Sequence, residues 1–223
     1  MKSTTGVING VDDIRRTFKA LAQESKDPNE MLEIVNASFV ADEETIFGEP
    51  NHGWHAREYA WYRSKSLSVN DIPPPIPIIW KSVASTKGEI NSNYGWCIYS
   101  KENGEQYNKA ISALVEDPLS RQALMIYTRP TMHEDSKRDG MRDFMCTNTV
   151  QLLLRNGALH YIVNMRSNDA VFGYKGDSAW HRKVHWLAAN DLMDKLGVRV
   201  KLGELIWNAG SLHIYPRHRD LIK

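Results

Sequence analysis

Apolar residues recur at helical spacing in three parts of the chain. The apolar positions of the first part lie on one helical face: Val11, Ile14, Phe18 and Leu21. With charged residues between them, they predict an amphipathic helix over residues 11–24. Residues 105–115 predict a second helix. A long pattern after Asp177-Ser178, a candidate N-cap, predicts a third that ends at Gly197, where glycine accepts a left-handed conformation.

Short apolar runs predict strands in the second half of the chain. Residues 150–154 and 159–165 flank Asn156-Gly157, a two-residue hairpin signal because both residues tolerate positive φ. This hairpin would bring Cys146 and Arg166 to the same end of an antiparallel strand pair. Shorter runs predict further strands at 123–127, 198–202 and 205–207. The proline-rich residues 73–77 predict a rigid surface connection, because proline lacks the amide donor of a helix or central strand.

Composition adds that the chain forms one domain without a charged tail. Its 223 residues are 42% hydrophobic, with a net charge of +1, which favours a single domain over residues 1–223 and no direct nucleic-acid partner. Only Cys97 and Cys146 could form a disulfide, and no apolar run approaches the roughly 20 residues of a membrane span. We therefore expect a soluble protein of the reducing cytoplasm.

The cysteines and histidines differ in what they could do. Cys146 lies upstream of an arginine, a serine and two carboxylates, so it is either a nucleophile or an inert core cysteine. Cys97 lies in an apolar stretch, which predicts a core position. His181 and His185 fall four residues apart on a predicted helix but lack a third partner, so we expect no metal.

Several sequence blocks occur together in one order, and that order resembles the thymidylate synthase superfamily. The blocks are residues 37–43, 57–58, 61–62, 79–80, 88–96, 127–130, 143–149, 166–177 and 206–215. The resemblance implies an α+β fold in which a mixed or antiparallel sheet packs with helices and one sheet face forms a dimer interface. It also implies a pyrimidine nucleotide substrate and methylenetetrahydrofolate as co-substrate.

The resemblance assigns roles residue by residue. Cys146 would add to carbon 6 of the pyrimidine as a thiolate, which a guanidinium such as Arg166 would favour. Glu58, on a predicted helix, would order the active-site waters. Substrate contacts are implied for Arg121, Arg166, Ser167, Asn168, Gln151, Asn148, His213 and Tyr215. Folate contacts and the wall beside the cysteine are implied for Trp80, Asp169, Gly173 and Tyr94.

Asp177 indicates which nucleotide base the protein is expected to bind. The uracil-specific enzymes carry asparagine there, whereas an aspartate can accept from the amino group of cytosine or, when protonated, donate to its ring nitrogen. The sequence therefore resembles the branch that hydroxymethylates deoxycytidylate (dCMP). Water would capture the methylene intermediate, giving 5-hydroxymethyl-dCMP and tetrahydrofolate.

The phosphate site departs from the family pattern. Arg121 is implied to reach the phosphate of the neighbouring subunit in a homodimer, but Gln122 stands where a second arginine is usual, so Arg129 or Lys175 would compensate. The family generally continues beyond Tyr215 into a segment that closes over folate, whereas this sequence ends at Lys223. A looser closure would suit a reaction that admits one water.

Other functions remain open at this stage. Methylation of dUMP is disfavoured by Asp177 and by Thr147, where the methylating enzymes usually have histidine. Action on the ribonucleotide CMP is a third hypothesis. A non-catalytic nucleotide- or RNA-binding protein is a fourth, and a cysteine hydrolase using Cys146 with His213 or His160 is a fifth.

Overall fold

The computed structural model describes residues 10–222, which form helices around one five-stranded sheet. The helices are α1 (Val11–Glu24), α2 (His52–Ser64), α3 (Ile78–Val83), α4 (Tyr94–Tyr99), α5 (Gln106–Glu116), α6 (Met132–Asp135) and α7 (Gly173–Leu196). The strands are β1 (Leu32–Val40), β2 (Leu124–Ile126), β3 (Thr147–Arg155), β4 (Ala158–Asp169) and β5 (Lys201–Ile214). Short 3₁₀ helices span Val69–Asp71, Arg138–Gly140 and Pro216–Leu221.

The sheet has the strand order β1-β5-β4-β3-β2 and is mixed. β4 and β5 run parallel, joined by the long crossover helix α7, whereas the other neighbours are antiparallel. This arrangement confirms the α+β fold that the sequence predicted.

The two faces of the sheet differ in polarity. A cross-strand row on the inner face is fully buried: Val150, Val163, Trp207 and Phe39. The adjacent row on the outer face is joined by side-chain hydrogen bonds, from Ser38 to Asn208, from Asn208 to Asn164 and from Asn164 to Thr149. The helical layer and the core therefore lie on the inner side.

A glycine allows α4 to lie directly on α2. A Cβ on Gly95 would stand only 1.8 Å from the backbone oxygen of Tyr62, so no other residue fits there without moving a helix. The contact stacks the Tyr94 ring on the Tyr62 ring, with centroids 5.3 Å apart. It thereby fixes the position of Tyr94 beside the residues described below.

Most predicted elements are confirmed, with two corrections. α1, α5, β2 and the hairpin occur where predicted, and Cys97 is buried in the core. The prediction that α7 starts after an Asp177-Ser178 cap is wrong, because α7 begins at Gly173 and Asp177 lies inside it. The strands predicted at 198–202 and 205–207 are not separate: residues 201–202 and 205–207 lie in one continuous strand, β5, which pairs with β4 and β1, and residues 198–200 precede it.

Candidate active site

Cys146 and Arg166 lie together, as the hairpin predicted. The backbone amide of Arg166 donates to the carbonyl of Cys146 at 2.9 Å, where β3 begins beside β4. The Arg166 guanidinium reaches Sγ of Cys146 at 3.7 Å and also donates to the carbonyls of Met145 and Phe144. The arginine side chain is therefore held rigidly against the segment that carries the thiol.

Burial dominates the acidity of the Cys146 thiol. Desolvation, followed by the charge of Asp177, raises the pKa of Cys146 to about 11, although the Arg166 guanidinium acts in the opposite direction. Arg166 lowers the pKa of Cys146, as expected, but burial and the charge of Asp177 together raise it by more. The Cys146 thiol is therefore protonated at neutral pH.

Asp177 projects from α7 into the site and is held by two donors. The hydroxyl of Tyr94 donates to its Oδ1 at 3.0 Å, and Nδ2 of Asn168 donates to its Oδ2 at 2.7 Å. Burial raises the pKa of Asp177 to about 7, while both hydrogen bonds favour the ionised form. Asp177 can thus be either a carboxylate or a carboxylic acid near neutrality.

Glu58 is the second buried carboxyl group of the site. It lies on α2, as predicted, and its side chain is 7% exposed. Burial and then the charge of Asp177 raise the pKa of Glu58 to about 8, against hydrogen bonds from Tyr62 and Trp80. A carboxyl group with a pKa in this range can both give and take a proton at neutral pH.

The ends of β4 and β5 bring further predicted residues to the same edge. Ser167 pairs with Ser211 and Asp169 pairs with His213 across the parallel strands. His213 is buried and its ring lies 4.8 Å from that of Tyr215, centroid to centroid. Hydroxyl, imidazole and carboxylate groups therefore line the strand ends beside Arg166.

The remaining predicted residues are less closely grouped. The Gln151 amide donates to the carbonyl of Arg121 at 2.9 Å, so this pair lies at the β2–β3 side of the sheet instead of beside Cys146. Asn148 accepts backbone hydrogen bonds from Tyr127 and Thr128 through its carbonyl, which ties β2 to β3.

The two cations expected to compensate for Gln122 are already engaged. Arg129 forms an ion pair with Asp135 at 2.8 Å and donates to Asn91. The Lys175 ammonium donates to the carbonyl of Glu49 at 3.3 Å.

Sequence reasoning missed the group that fixes the loop before α4. The buried carboxylate of Asp143 accepts from the backbone amides of Asn91 and Ser92, each at 2.7 Å, and from the Ser92 hydroxyl at 2.6 Å. Asp143 stands three residues before Cys146, so it ties the cysteine segment to the loop that leads to Tyr94. Only its place in a family block hinted at this role.

The described residues contain neither a candidate metal site nor a helix that could cross a membrane. Within residues 10–222, no three His, Cys, Asp or Glu side chains are grouped so that they could hold a metal ion. Over the same residues, no helix has the length and apolar character needed to cross a membrane.

Comparison with known proteins places these groups in a family. The family model described as Thymidylate synthase matches residues 52–223. The chain is 53% identical to "Deoxycytidylate 5-hydroxymethyltransferase" of Enterobacteria phage T4 over 192 residues, which cover 86% of this chain and 78% of the relative. It is 25% identical over 226 residues to "Thymidylate synthase 1" of Bacillus subtilis (strain 168), covering 96% of this chain and 77% of the relative.

A solved structure extends the comparison to the fold. The thermostable thymidylate synthase A from Bacillus subtilis aligns with a TM-score of 0.66 at 22% identity, covering 96% of this chain and 83% of the other. The match to the family model and the phage relative agree with the blocks found in the sequence. This chain belongs to the thymidylate synthase family.

Proposed function

We propose that the protein transfers a one-carbon unit from methylenetetrahydrofolate to carbon 5 of dCMP. Water then captures the methylene group, and the products are 5-hydroxymethyl-dCMP and tetrahydrofolate. The observation that carries the proposal is the buried Asp177 carboxyl, held by Tyr94 and Asn168 in the site that contains Cys146. The similarity to the phage T4 enzyme supports it.

Each group has a defined task in this reaction. The Cys146 thiol loses its proton and its sulfur adds to carbon 6, which makes carbon 5 nucleophilic. Arg166 and Ser167 bind the phosphate, because a guanidinium offers two parallel donors to phosphate oxygens. His213 and Tyr215 hydrogen-bond the sugar hydroxyl, and Asn148 and Gln151 extend the polar lining. Glu58 exchanges protons and positions the water that attacks the exocyclic methylene.

Methylenetetrahydrofolate supplies the one-carbon unit, and the residues present fit it. A Cβ on Gly173 would meet Asn168 and Asp169 at 3.3 Å, so the missing side chain leaves space at the start of α7. The partly exposed Trp80 offers an aromatic wall next to Glu58, as a flat pterin requires. Trp80, Asp169, Gly173 and Tyr94 would hold the co-substrate.

We further propose a homodimer formed through the outer face of the sheet. Ile126 and Leu124 remain 48% and 42% exposed there, and Val35 on β1 is 74% exposed. Large exposed aliphatic side chains on a sheet face are typical of an interface between copies. Arg121, linked to that face through Gln151, would reach the phosphate of the partner. Two free cysteines suit a reducing cytoplasm.

Product analysis tests the proposal. Purified protein is incubated with methylenetetrahydrofolate and each of dCMP, CMP and dUMP. We expect hydroxymethyl-dCMP and tetrahydrofolate, without the rise in ultraviolet absorbance that dihydrofolate produces, because water capture leaves the hydride of the folate in place.

Cys146→Ser should abolish turnover, whereas Cys97→Ser, in the core, should retain it. Asp177→Asn should move preference toward dUMP, within the roughly 10⁴-fold that a site matched to one base edge can provide.

The alternatives give different products. Stoichiometric dihydrofolate with a methylated base would make the protein a methylase. Hydroxymethyl-CMP as the main product would assign the ribonucleotide. Full activity of the Cys146→Ser variant would contradict covalent catalysis.

A further inference from the structure

A cavity between α2 and α7 leads from the protein surface to Glu58. Its volume is about 240 Å³, which is room for several water molecules at about 30 Å³ each. Its lining runs from the exposed residues Ala56 on α2 and Lys183 on α7 to the buried residues Glu58, Tyr62 and Trp180. We call this space the α2–α7 cavity. It gives the buried carboxyl group of Glu58 a connection to solvent.

Gly176 holds the inner end of the cavity open. It lines the cavity, and a Cβ on it would stand only 3.2 Å from Oε2 of Glu58, so the carboxyl group lies directly against this turn of α7. Gly176 lies inside the helix without positive φ, so the backbone does not require glycine there. Glycine is also a poorer helix former than alanine. What the missing side chain provides is therefore space beside Glu58.

The cavity approaches Glu58 from a side that the other site residues do not occupy. Among the described residues, its lining includes neither Cys146 nor Asp177, and none of the residues assigned above to phosphate, sugar or folate. Asp177 follows Gly176 and so points about 100° further round α7. A nucleotide and a folate bound by those residues would leave this approach to Glu58 free.

The walls of the cavity offer partners to water. Burial, followed by the charge of His52, lowers the pKa of His55, so its neutral ring can both donate and accept. The Lys183 ammonium lies at the outer end, 6.0 Å from the centroid of the Tyr59 ring. At the inner end, the carboxyl group of Glu58 can also donate or accept. Water entering between the helices therefore meets polar groups along its way.

We propose that the α2–α7 cavity is the entry path for the water that attacks the exocyclic methylene, and that Gly176 keeps this path open at Glu58. This inference rests on the proposed function. The oxygen of the water bonds to the methylene carbon while one of its protons passes to the Glu58 carboxylate. The electron pair of the methylene double bond returns to the ring and expels the Cys146 sulfur from carbon 6 as a thiolate. Glu58 then passes its proton on to solvent, from which the thiolate is reprotonated.

Access of water to Glu58 can be measured without nucleotide or folate. Ala179 lines the cavity and is partly exposed, so Ala179→Leu fills part of the space from α7. Removing water from a carboxyl group disfavours its charged form. We therefore expect the pKa of Glu58, measured by carbon NMR of labelled glutamate, to rise above its wild-type value. An unchanged pKa in the folded variant would overturn the inference.

Two further variants sharpen this measurement. Gly176→Ala narrows the inner end of the cavity beside Glu58 while favouring the helix, and it should raise the pKa of Glu58 in the same direction. It keeps the inference open to contradiction if Ala179→Leu does not fold. Ala60→Leu is the matched control, because it adds the same side chain at an exposed position of α2 outside the cavity lining. It should leave the pKa of Glu58 unchanged.

The kinetic effect should fall on the step that uses water. In a single turnover with dCMP carrying tritium at carbon 5, we expect Ala179→Leu and Gly176→Ala to release tritium at close to the wild-type rate. They should form hydroxymethyl-dCMP about 10-fold or more slowly, as expected when acid–base catalysis is impaired. The affinity for dCMP should not change, because the cavity lining contains no group that binds it. Ala60→Leu should match wild type in both steps.

The outcomes separate this inference from the proposed function. Absence of hydroxymethyl product from the wild-type protein would contradict the proposed function and remove the water-capture step with it. Product formed at the wild-type rate by folded Ala179→Leu and Gly176→Ala proteins would overturn the entry path alone. Equal slowing of tritium release and product formation would assign the cavity a purely structural role and would also overturn the inference.

Discussion

At the scale of single residues, the site holds three ionisable groups whose charged forms are disfavoured by burial. Glu58 and Asp177 are both buried, and the charge of Asp177 contributes to the raised pKa of Glu58. The pKa of the Cys146 thiol is also raised by burial and by the charge of Asp177. Burial therefore opposes ionisation of all three groups, and under the proposed function the bound nucleotide would supply the contacts that favour the reactive forms.

The pKa of Glu58 leads to a prediction about stability. It is raised from 4.5 to about 8 in the folded protein, so ionisation opposes folding. The stabilising contribution of the neutral form is complete below pH 4.5 and is lost as the pH rises through 8. Glu58→Gln cannot ionise. We expect its free energy of unfolding to exceed that of wild type by on the order of 2 kcal/mol above pH 8 and to match it near pH 4.5.

Denaturant unfolding across this pH range measures the difference. Glu116→Gln, at an exposed position on α5, is the matched control and should follow the wild-type curve. A constant difference between Glu58→Gln and wild type at every pH would contradict the raised pKa.

Sequence reasoning identified these residues but not their electrostatics. Cys146, Arg166 and Asp177 could be found because they stand in family blocks, and the structure brings them together. The raised pKa values of Cys146 and Asp177 depend on burial among α2, α4 and α7, which lie far apart in sequence. His181 shows the same limit, because its ring lies within hydrogen-bond distance of Thr147 and Tyr161, residues that no spacing rule connects to it.

At the scale of elements, local signals succeeded where a turn sets the geometry. Asn156 and Gly157 adopt φ of 51° and 74°, as the hairpin signal required. The start of α7 was mispredicted because its first turn contains Gly173 and Gly176, which are poor helix formers. Burial of Tyr174 against Phe39 and Trp207 anchors that turn instead. A tertiary contact of this kind has no local signature.

The hairpin turn can be tested by one substitution. Gly157→Ala introduces a Cβ that meets no atom within 4 Å, so its only cost is the positive φ of 74°. We expect a loss of about 1 kcal/mol in the free energy of unfolding, measured in urea. Gly53→Ala, in the first turn of α2 without positive φ, is the control and should be neutral or stabilising. Equal effects of the two substitutions would contradict the turn assignment.

At the scale of the whole molecule, the two faces of the sheet differ in what they carry. Its inner face carries the core, and the ends of β3, β4 and β5 present the candidate site. Its outer face carries the polar row from Ser38 to Thr149 and the exposed aliphatic residues of β2. The pairing of β1 with β5 joins residues about 170 positions apart, as in the Ser38–Asn208 hydrogen bond. Periodicity alone could not predict such a pairing.

A shared active site gives the last prediction. If Arg121 serves the phosphate of the partner subunit, Arg121→Ala and Cys146→Ser should each impair every site of their own homodimers. A mixed dimer, however, contains one site with both an intact Cys146 and an intact Arg121 from the opposite subunit. One of the two sites of each mixed dimer works, so mixed dimers freed of both parent homodimers should recover about half of wild-type activity. Differently tagged subunits, refolded together and purified through both tags, provide the measurement. Sedimentation must first show a dimer. Mixed dimers that form but recover no activity would place Arg121 in its own subunit's site, or outside the site altogether.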